Sequence, residues 1–318
     1  MKVPFIIFIT LLILAGLIAF TFSDDAPHQK AKHSGQMQVA HLGAGDTTGL
    51  SSIRHAFARR NPGYDLQFYY QIQSIPAGQV YRLAFIQQGG GTASISEEVS
   101  SKISVGDIVY LNKGQEMVVD SLIDVLVFTV PEPLTNNIPN FIRPDWDENI
   151  TDTPGGCATE TNAYRRISLT WKEEVGSYIY HALNAHRVRI MDSFSHYHPI
   201  NGGFDEFYLV QMVLPEAQLI TSEQVDLITH PESVTHAQAK DLLQTTNLQV
   251  GDLIYLPRGV MHRGLGGVLA QVITVPGFIP GSEIGVDHHL LHINEHLSLE
   301  EDAALPYNVE ASQQAIMK

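Results

Sequence analysis

Ser195-His196-Tyr197-His198-Pro199 and, further along, Gly251-Asp252-Leu253-Ile254-Tyr255-Leu256-Pro257-Arg258-Gly259-Val260-Met261-His262 decide how this chain is read. In an extended strand residues i and i+2 share a face, so His196 and His198 project side by side. Phe204-Asp205-Glu206 follows and opens an apolar run, Phe207 to Leu214, that has the character of a partner strand. A further strand is expected over Leu253 to Leu256. Pro257 and Gly259 then form a turn, because proline pre-sets its own φ and glycine tolerates positive φ. His262 comes next, on the following strand. Three imidazoles and one carboxylate make the donor set of a mononuclear transition-metal site. The carboxylate is Glu206 or its neighbour Asp205, and the strand beginning at once after Glu206 favours the former. Neutral imidazole and carboxylate suit one divalent ion of Fe, Mn, Ni, Cu or Zn. Four protein ligands on an octahedral ion leave two positions for water, dioxygen or a chelating substrate.

The two segments resemble the signature motifs of the cupin superfamily, a His-x-His pair with a following Glu and then Gly-x5-Pro-x-Gly-x2-His. Gly251, Pro257, Gly259 and His262 match the second motif in full. The first is matched with departures. Seven residues, Pro199 to Asp205, separate His198 from Glu206 where the family has three or four. Ile190 and Gln211-Met212-Val213 stand where glycines are expected. The resemblance implies small antiparallel jelly-roll barrels with the metal inside, held by His196, His198, Glu206 and His262. It implies activities among dioxygenases, decarboxylases, isomerases and hydrolases. The expectation is a dioxygenase-type enzyme for a small chelating organic substrate; the alternative is a non-enzymatic cupin that binds a small ligand or serves a structural part. Pairing of barrel edges into a homodimer is a further implication.

A worn second copy lies upstream. Gly106-Asp107-Ile108-Val109-Tyr110-Leu111-Asn112-Lys113-Gly114 parallels Gly251 to Gly259, and Thr129-Val130-Pro131 parallels Thr274-Val275-Pro276, both at an offset of 145 residues. A constant offset marks duplication. Asn112 replaces Pro257, Met117 replaces His262, and residues 60–135 hold no His-x-His pair, so this barrel is expected to be metal-free. Short alternating runs such as Leu66, Phe68, Tyr70 and Ile72, punctuated by Gly89-Gly90-Gly91, support barrels or sandwiches. The predicted fold class is therefore all-β: two cupin barrels in tandem with short helical insertions, after an N-terminal hydrophobic helix. The segments are 1–23 (signal peptide or membrane anchor), 24–60 (a polar tether with a helical piece near Ser51 to Arg59), 61–135 (degenerate barrel), 136–163 (linker), 164–281 (metal-binding barrel) and 282–318 (helical tail).

Val3 to Phe22 is an uncharged stretch of 20 residues. That length spans a bilayer and equally fits a signal peptide. Either way the barrels are expected outside the cytoplasm, touching membrane only through this segment. Cys157 is the only cysteine, so no intramolecular disulfide forms. A net charge of −15 argues against nucleic acid, whose phosphates need clustered Lys and Arg. A small-molecule ligand or substrate is the expected partner. Pro215 to Leu248 is an insertion with helices expected at Thr221 to Asp226 and Ser233 to Leu243, a lid or a surface ornament. His288, His292 and His296 fall on one face of a helix, and with His230 and His236 are read as polar surface rather than as a second metal site. Arg258, Arg187, Arg189, Tyr208 and Gln211 are candidate neighbours of the metal; Tyr197 and Arg263 should alternate away from it.

Overall fold

Alternation of apolar and polar residues with period two produces two antiparallel sheets, each curled into a barrel. The computed structural model describes residues 35–153, 155 and 164–318. Val3 to Phe22 and Cys157 lie outside the described residues. Among those described, no helix is long and apolar enough to cross a membrane.

The chain runs β1 (Gln38–His41), α1 (Leu50–Arg60), β2 (Asp65–Ile75), β3 (Tyr81–Gly89), β4 (Gly91–Ser94), β5 (Ser100–Ile103), β6 (Ile108–Leu111), β7 (Met117–Val130) and β8 (Phe141–Ile142). It continues with β9 (Arg165–Leu169), β10 (Asn184–Asp192), β11 (His196–Tyr197), β12 (Asp205–Val213), β13 (Gln218–Ser222), α2 (Val225–Ile228), α3 (His236–Ala239), β14 (Gln244–Asn247), β15 (Asp252–Leu256), β16 (Met261–Val275), β17 (Ile284–Gly285) and α4 (Asp287–Leu297). The first sheet has the order β5-β4-β7-β3-β6-β8, with β2 on β7; the second has β1-β15-β12-β16-β10-β9, with β13 and β11 also on β16.

Each barrel has its own apolar interior, and a third core lies between them. On β12, Tyr208 and Val210 face into the second barrel while Phe207 and Leu209 face the first. On β3, Ala84 and Ile86 point inward while Leu83 and Phe85 point to the neighbour. Helix α1 fills the seam. Its apolar residues Leu50, Ile53 and Phe57 recur at helical spacing, which sets one stripe toward the core. Phe57 meets Phe207, Phe128, Tyr255 and Tyr64 edge-on, with ring centroids 5.0–6.2 Å apart, the geometry that aromatic quadrupoles favour.

Three expectations about segments need correction. The stretch 24–60, described from residue 35, is not merely a tether: β1 pairs with β15 as an edge strand of the second barrel. The backbones close tightly there. Gly251 has φ +89°, and a Cβ on it would stand 2.2 Å from Gly43 Cα, so only glycine lets Leu42 N–H reach Gly251 O at 2.8 Å. The stretch 136–163 contributes β8, which pairs with β6. The stretch 282–318 is more than a helical tail, because β17 pairs with β11 at the first histidine of the motif. In each case the partner strand is remote in sequence, and a short polar segment carries no sign of it.

The insertion also differs from expectation. Thr221 and Ser222 belong to β13, which pairs with β16 and with β14. Only His236–Ala239 of the expected Ser233 to Leu243 helix is α-helical, started by a capping box of Thr235 and Gln238. The β13–β14 hairpin extends the barrel, and the short helices pack with α4 in a separate apolar cluster.

Candidate metal centre

Three elements carry the cluster. β11 lies against β16 with His196 directly opposite His262. His198 follows β11 and is tied to the Pro257–Gly259 turn, where Gly259 N–H donates to His198 O at 2.7 Å. Glu206 sits on the inner face of β12, opposite Leu256 on β15 and Thr274 on β16. One ligand atom from each of His196, His198, Glu206 and His262 lies within 4.8 Å of the others, and all four side chains are buried.

The imidazoles are pre-set. His196 Nδ1 lies 3.1 Å from Phe194 O, and His262 Nδ1 lies 3.3 Å from Val260 O. A carbonyl only accepts, so Nδ1 carries the proton and Nε2 keeps its lone pair. His196 Nε2, His198 Nε2, His262 Nε2 and Glu206 Oε1 are buried without a hydrogen-bond partner. Glu206 stands 3.7 Å from His198 Nε2 and 3.5 Å from His262 Nε2. Four converging, unsatisfied donor atoms are costly in a protein interior, and a divalent metal satisfies all of them. The residues fit that group.

Burial governs the electrostatics. Desolvation holds His262 down at about 4, and desolvation followed by the His262 charge does the same for His196. His198 is pushed well below its ordinary value by the same causes. Desolvation raises Glu206 to about 7, against smaller opposing effects of His196 and the Tyr208 hydroxyl. The imidazoles are thus neutral, as ligands must be.

Asp205 turns the other way. Its carboxylate accepts from Tyr255 Oη (2.7 Å), Asn61 Nδ2 (2.7 Å), and Arg258 N and Nε (both 2.9 Å), with Arg60 Nε at 3.4 Å. It braces the Pro257–Gly259 turn against α1, so Glu206 and not Asp205 joins the histidines. Arg258 is consumed in that network. Arg187 and Arg189 do not enter the barrel; Val188 and Ile190 do. Arg187 bonds Gln211 Oε1 at 2.7 Å and pairs with Asp145. Tyr208 does share the Glu206 face, 6.2 Å from the His262 ring. Tyr197 packs in the helical cluster and Arg263 pairs with Asp192 at 2.7 Å, both away from the centre. On α4, His292 and His296 both meet the exposed Glu232, at 2.9 and 3.3 Å, while the His288 ring packs at a tilt against His289.

Residues that the motifs do not contain complete the site. A cavity of about 480 Å³ reaches Glu206 and is lined by Arg165, Asn184, His186, Thr274, Glu283 and Lys318 among others. Asp287 accepts from Ser195 N at 2.7 Å and from Asn308 N at 2.8 Å, fixing the approach to His196. The alternation Asn184, His186, Val188, Ile190 was the available signal for an inward-facing row on β10.

The first barrel has no such cluster among the described residues, and its register shows why. Arg82 lies opposite Leu111 and Thr129, the counterparts of Leu256 and Thr274. A guanidinium therefore stands where the second barrel has Glu206. It is buried and donates to Pro76 O and Gln115 O at 2.7 and 2.6 Å. Restoring a histidine by Met117→His is expected to leave the metal content of the chain unchanged in elemental analysis. A second equivalent of metal in that variant would disprove the argument from Arg82.

No protein-family model matches the chain, and no curated protein sequence matches it. Among solved structures it is similar to AerE from Microcystis aeruginosa, at 9% identity over 67% of this chain and 86% of that one, TM-score 0.43. It is similar to Bacillus subtilis oxalate decarboxylase, a protein with Mn(II) centres, at 12% identity over 81% and 78%, TM-score 0.41. Vicilin from Solanum melongena overlaps at 10% identity over 71% and 79%, TM-score 0.45. The paired barrel-like sheets and the buried His/His/Glu/His cluster of this chain fit a cupin fold.

Proposed function

We propose that this chain is a metal-dependent bicupin enzyme of dioxygenase type, acting outside the cytoplasm on a small chelating organic substrate. The observation that carries the reading is the convergence of four buried, unpartnered donor atoms, one of them on Glu206, which also lines a cavity. The extracytoplasmic placement rests on the Val3 to Phe22 stretch alone.

His196, His198, Glu206 and His262 would hold the ion. When bound, it supplies Lewis acidity, a path for electrons and open positions for two substrate oxygens. The chain does the rest. Phe194 O and Val260 O orient the imidazoles by accepting from Nδ1. Phe194 stacks on His196 at 4.4 Å and Phe204 covers His198 at 3.9 Å, so the rear of the site is closed to water. Substrate enters from the Glu206 side, where the cavity lies.

The test is elemental analysis of the full-length protein beside a His196→Ala/His262→Ala double variant, followed by oxygen uptake with chelating diols. One metal per chain, absent from the variant, with oxygen consumed only by the metal-loaded form, is the expected result. No metal after challenge with each candidate ion sinks the metal centre. Stoichiometric metal with no oxygen consumed overturns the dioxygenase reading in favour of a non-enzymatic binding protein.

A further inference from the structure

The cavity beside Glu206 has a polar wall built across three strands. Glu206 on β12 is opposite Thr274 on β16, and Thr274 is opposite Asn184 on β10. A metal ligand, a hydroxyl and an amide thus form one transverse row. His186 is two residues from Asn184 on the same strand and so shares its inward face. Asn184 Nδ2, His186 Nε2 and Thr274 Oγ1 are all buried without a hydrogen-bond partner. The side chains are 3%, 8% and 2% exposed. Polar groups this deep are ordinarily satisfied, and these three line a space large enough for a small organic molecule.

The remaining lining indicates what that molecule carries. Arg165, Lys172 and Lys318 gather at the cavity of a chain whose net charge is −15. Besides Glu206, assigned to the metal, the acids beside them are Glu174 and Glu283. Glu174 is exposed, whereas Glu283 is buried and shifted toward its neutral form by desolvation. The Asn184 N–H, the Arg165 guanidinium and the Lys318 ammonium are donors only, so this part of the wall suits a carboxylate. Two aromatic rings also line the cavity: Trp171 and Phe278 lie stacked with centroids 4.0 Å apart.

We infer that the cavity is the substrate subsite of the metal centre and takes a small organic carboxylate with a planar apolar body. The carboxylate lies toward Asn184, His186 and Arg165, the ring lies along Trp171 and Phe278, and the rest of the molecule faces Glu206. The inference rests on the proposed metal centre for its catalytic meaning, but the recognition itself is separable.

Isothermal titration of the full-length protein with benzoate and its neutral isostere benzamide tests it, with metal content measured on the same samples. Benzoate is expected to bind about tenfold or more tightly than benzamide, since a charge-assisted pair replaces a neutral one. Arg165→Gln and Lys318→Met, the latter at an exposed side chain, should each weaken benzoate several-fold and benzamide less, narrowing the gap between the two. Protein that holds its metal yet binds benzoate no better than benzamide overturns this inference and spares the metal centre. Protein that discriminates the two ligands yet takes up no metal supports the carboxylate subsite and sinks the metal centre alone.

Discussion

The Asp205→Ala variant is expected to lose about 3–5 kcal/mol of stability in urea unfolding, the cost of removing one partner from a buried ion network. Asp205 is fully buried. Its two oxygens serve five donors from three separate places: Asn61 and Arg60 at the end of α1, Tyr255 on β15, and Arg258 in the turn before His262. Truncation leaves the guanidiniums of Arg60 and Arg258 beside a dry void, along with a phenol that has lost its acceptor. The neutral Asp205→Asn variant keeps the shape and removes only the charge, so it should fall between the two. The pair of adjacent acids separates cleanly by readout. Asp205→Ala should keep its metal in native buffer while losing stability; Glu206→Ala should lose metal. A loss under about 1 kcal/mol, the range of an exposed ion pair, would show the network to be ornamental. Loss of metal in Asp205→Ala alone would make Asp205 the ligand.

Parts of this arrangement were legible because their causes are local. A His-x-His pair in a strand and a Pro-x-Gly turn before a third histidine need only the pleat and two turn residues. Choosing Glu206 over Asp205 used the apolar run that follows it, although what Asp205 does instead could not be read, since its partners lie about 145 and 50 residues away. The duplication was visible from Gly106 to Pro131 and invisible upstream. The reason is β13 through β14, which lengthens the second barrel between Glu206 and Leu256 and breaks the constant offset. Arg82 was therefore never set against Glu206 until strand register did so. The cavity beside Glu206 depends on β9, β10 and the tail meeting in space, and no spacing rule links Arg165 to Lys318.

The alternation itself carried one ambiguity that packing resolved. Strands β3, β6, β12 and β15 are apolar on both faces, because one face lines a barrel and the other lines the seam. Such a run reads the same as any fully buried strand. Only α1, with Phe57 wedged among Phe128, Phe207 and Tyr255, shows that the second face is spent on the neighbouring barrel.

Metal uptake at the cluster is expected to weaken about tenfold for each pH unit below 7, a slope of one proton. The proton belongs to Glu206, which burial raises to about 7. Below that value the metal-free site holds a carboxylic acid, and an incoming ion must displace its proton; above it none is displaced. His196 and His262, held near 4 by burial, do not compete until the pH is far lower. The same shifts fix the stability of the metal-free protein. Glu206 is raised above its ordinary 4.5, so its contribution is complete below 4.5 and lost as pH rises through about 7. The two histidines are lowered from 6.5, so theirs is complete above 6.5 and lost as pH falls through about 4. A bound ion removes the Glu206 loss, because the carboxylate charge is then compensated. The rise in melting temperature on adding metal should accordingly grow from pH 5 to pH 7 and level off above it, with about one proton released per ion at pH 6 when titrations in two buffers are compared. A metal-induced rise that is flat from pH 5 to pH 8 would remove Glu206 from the ligand set.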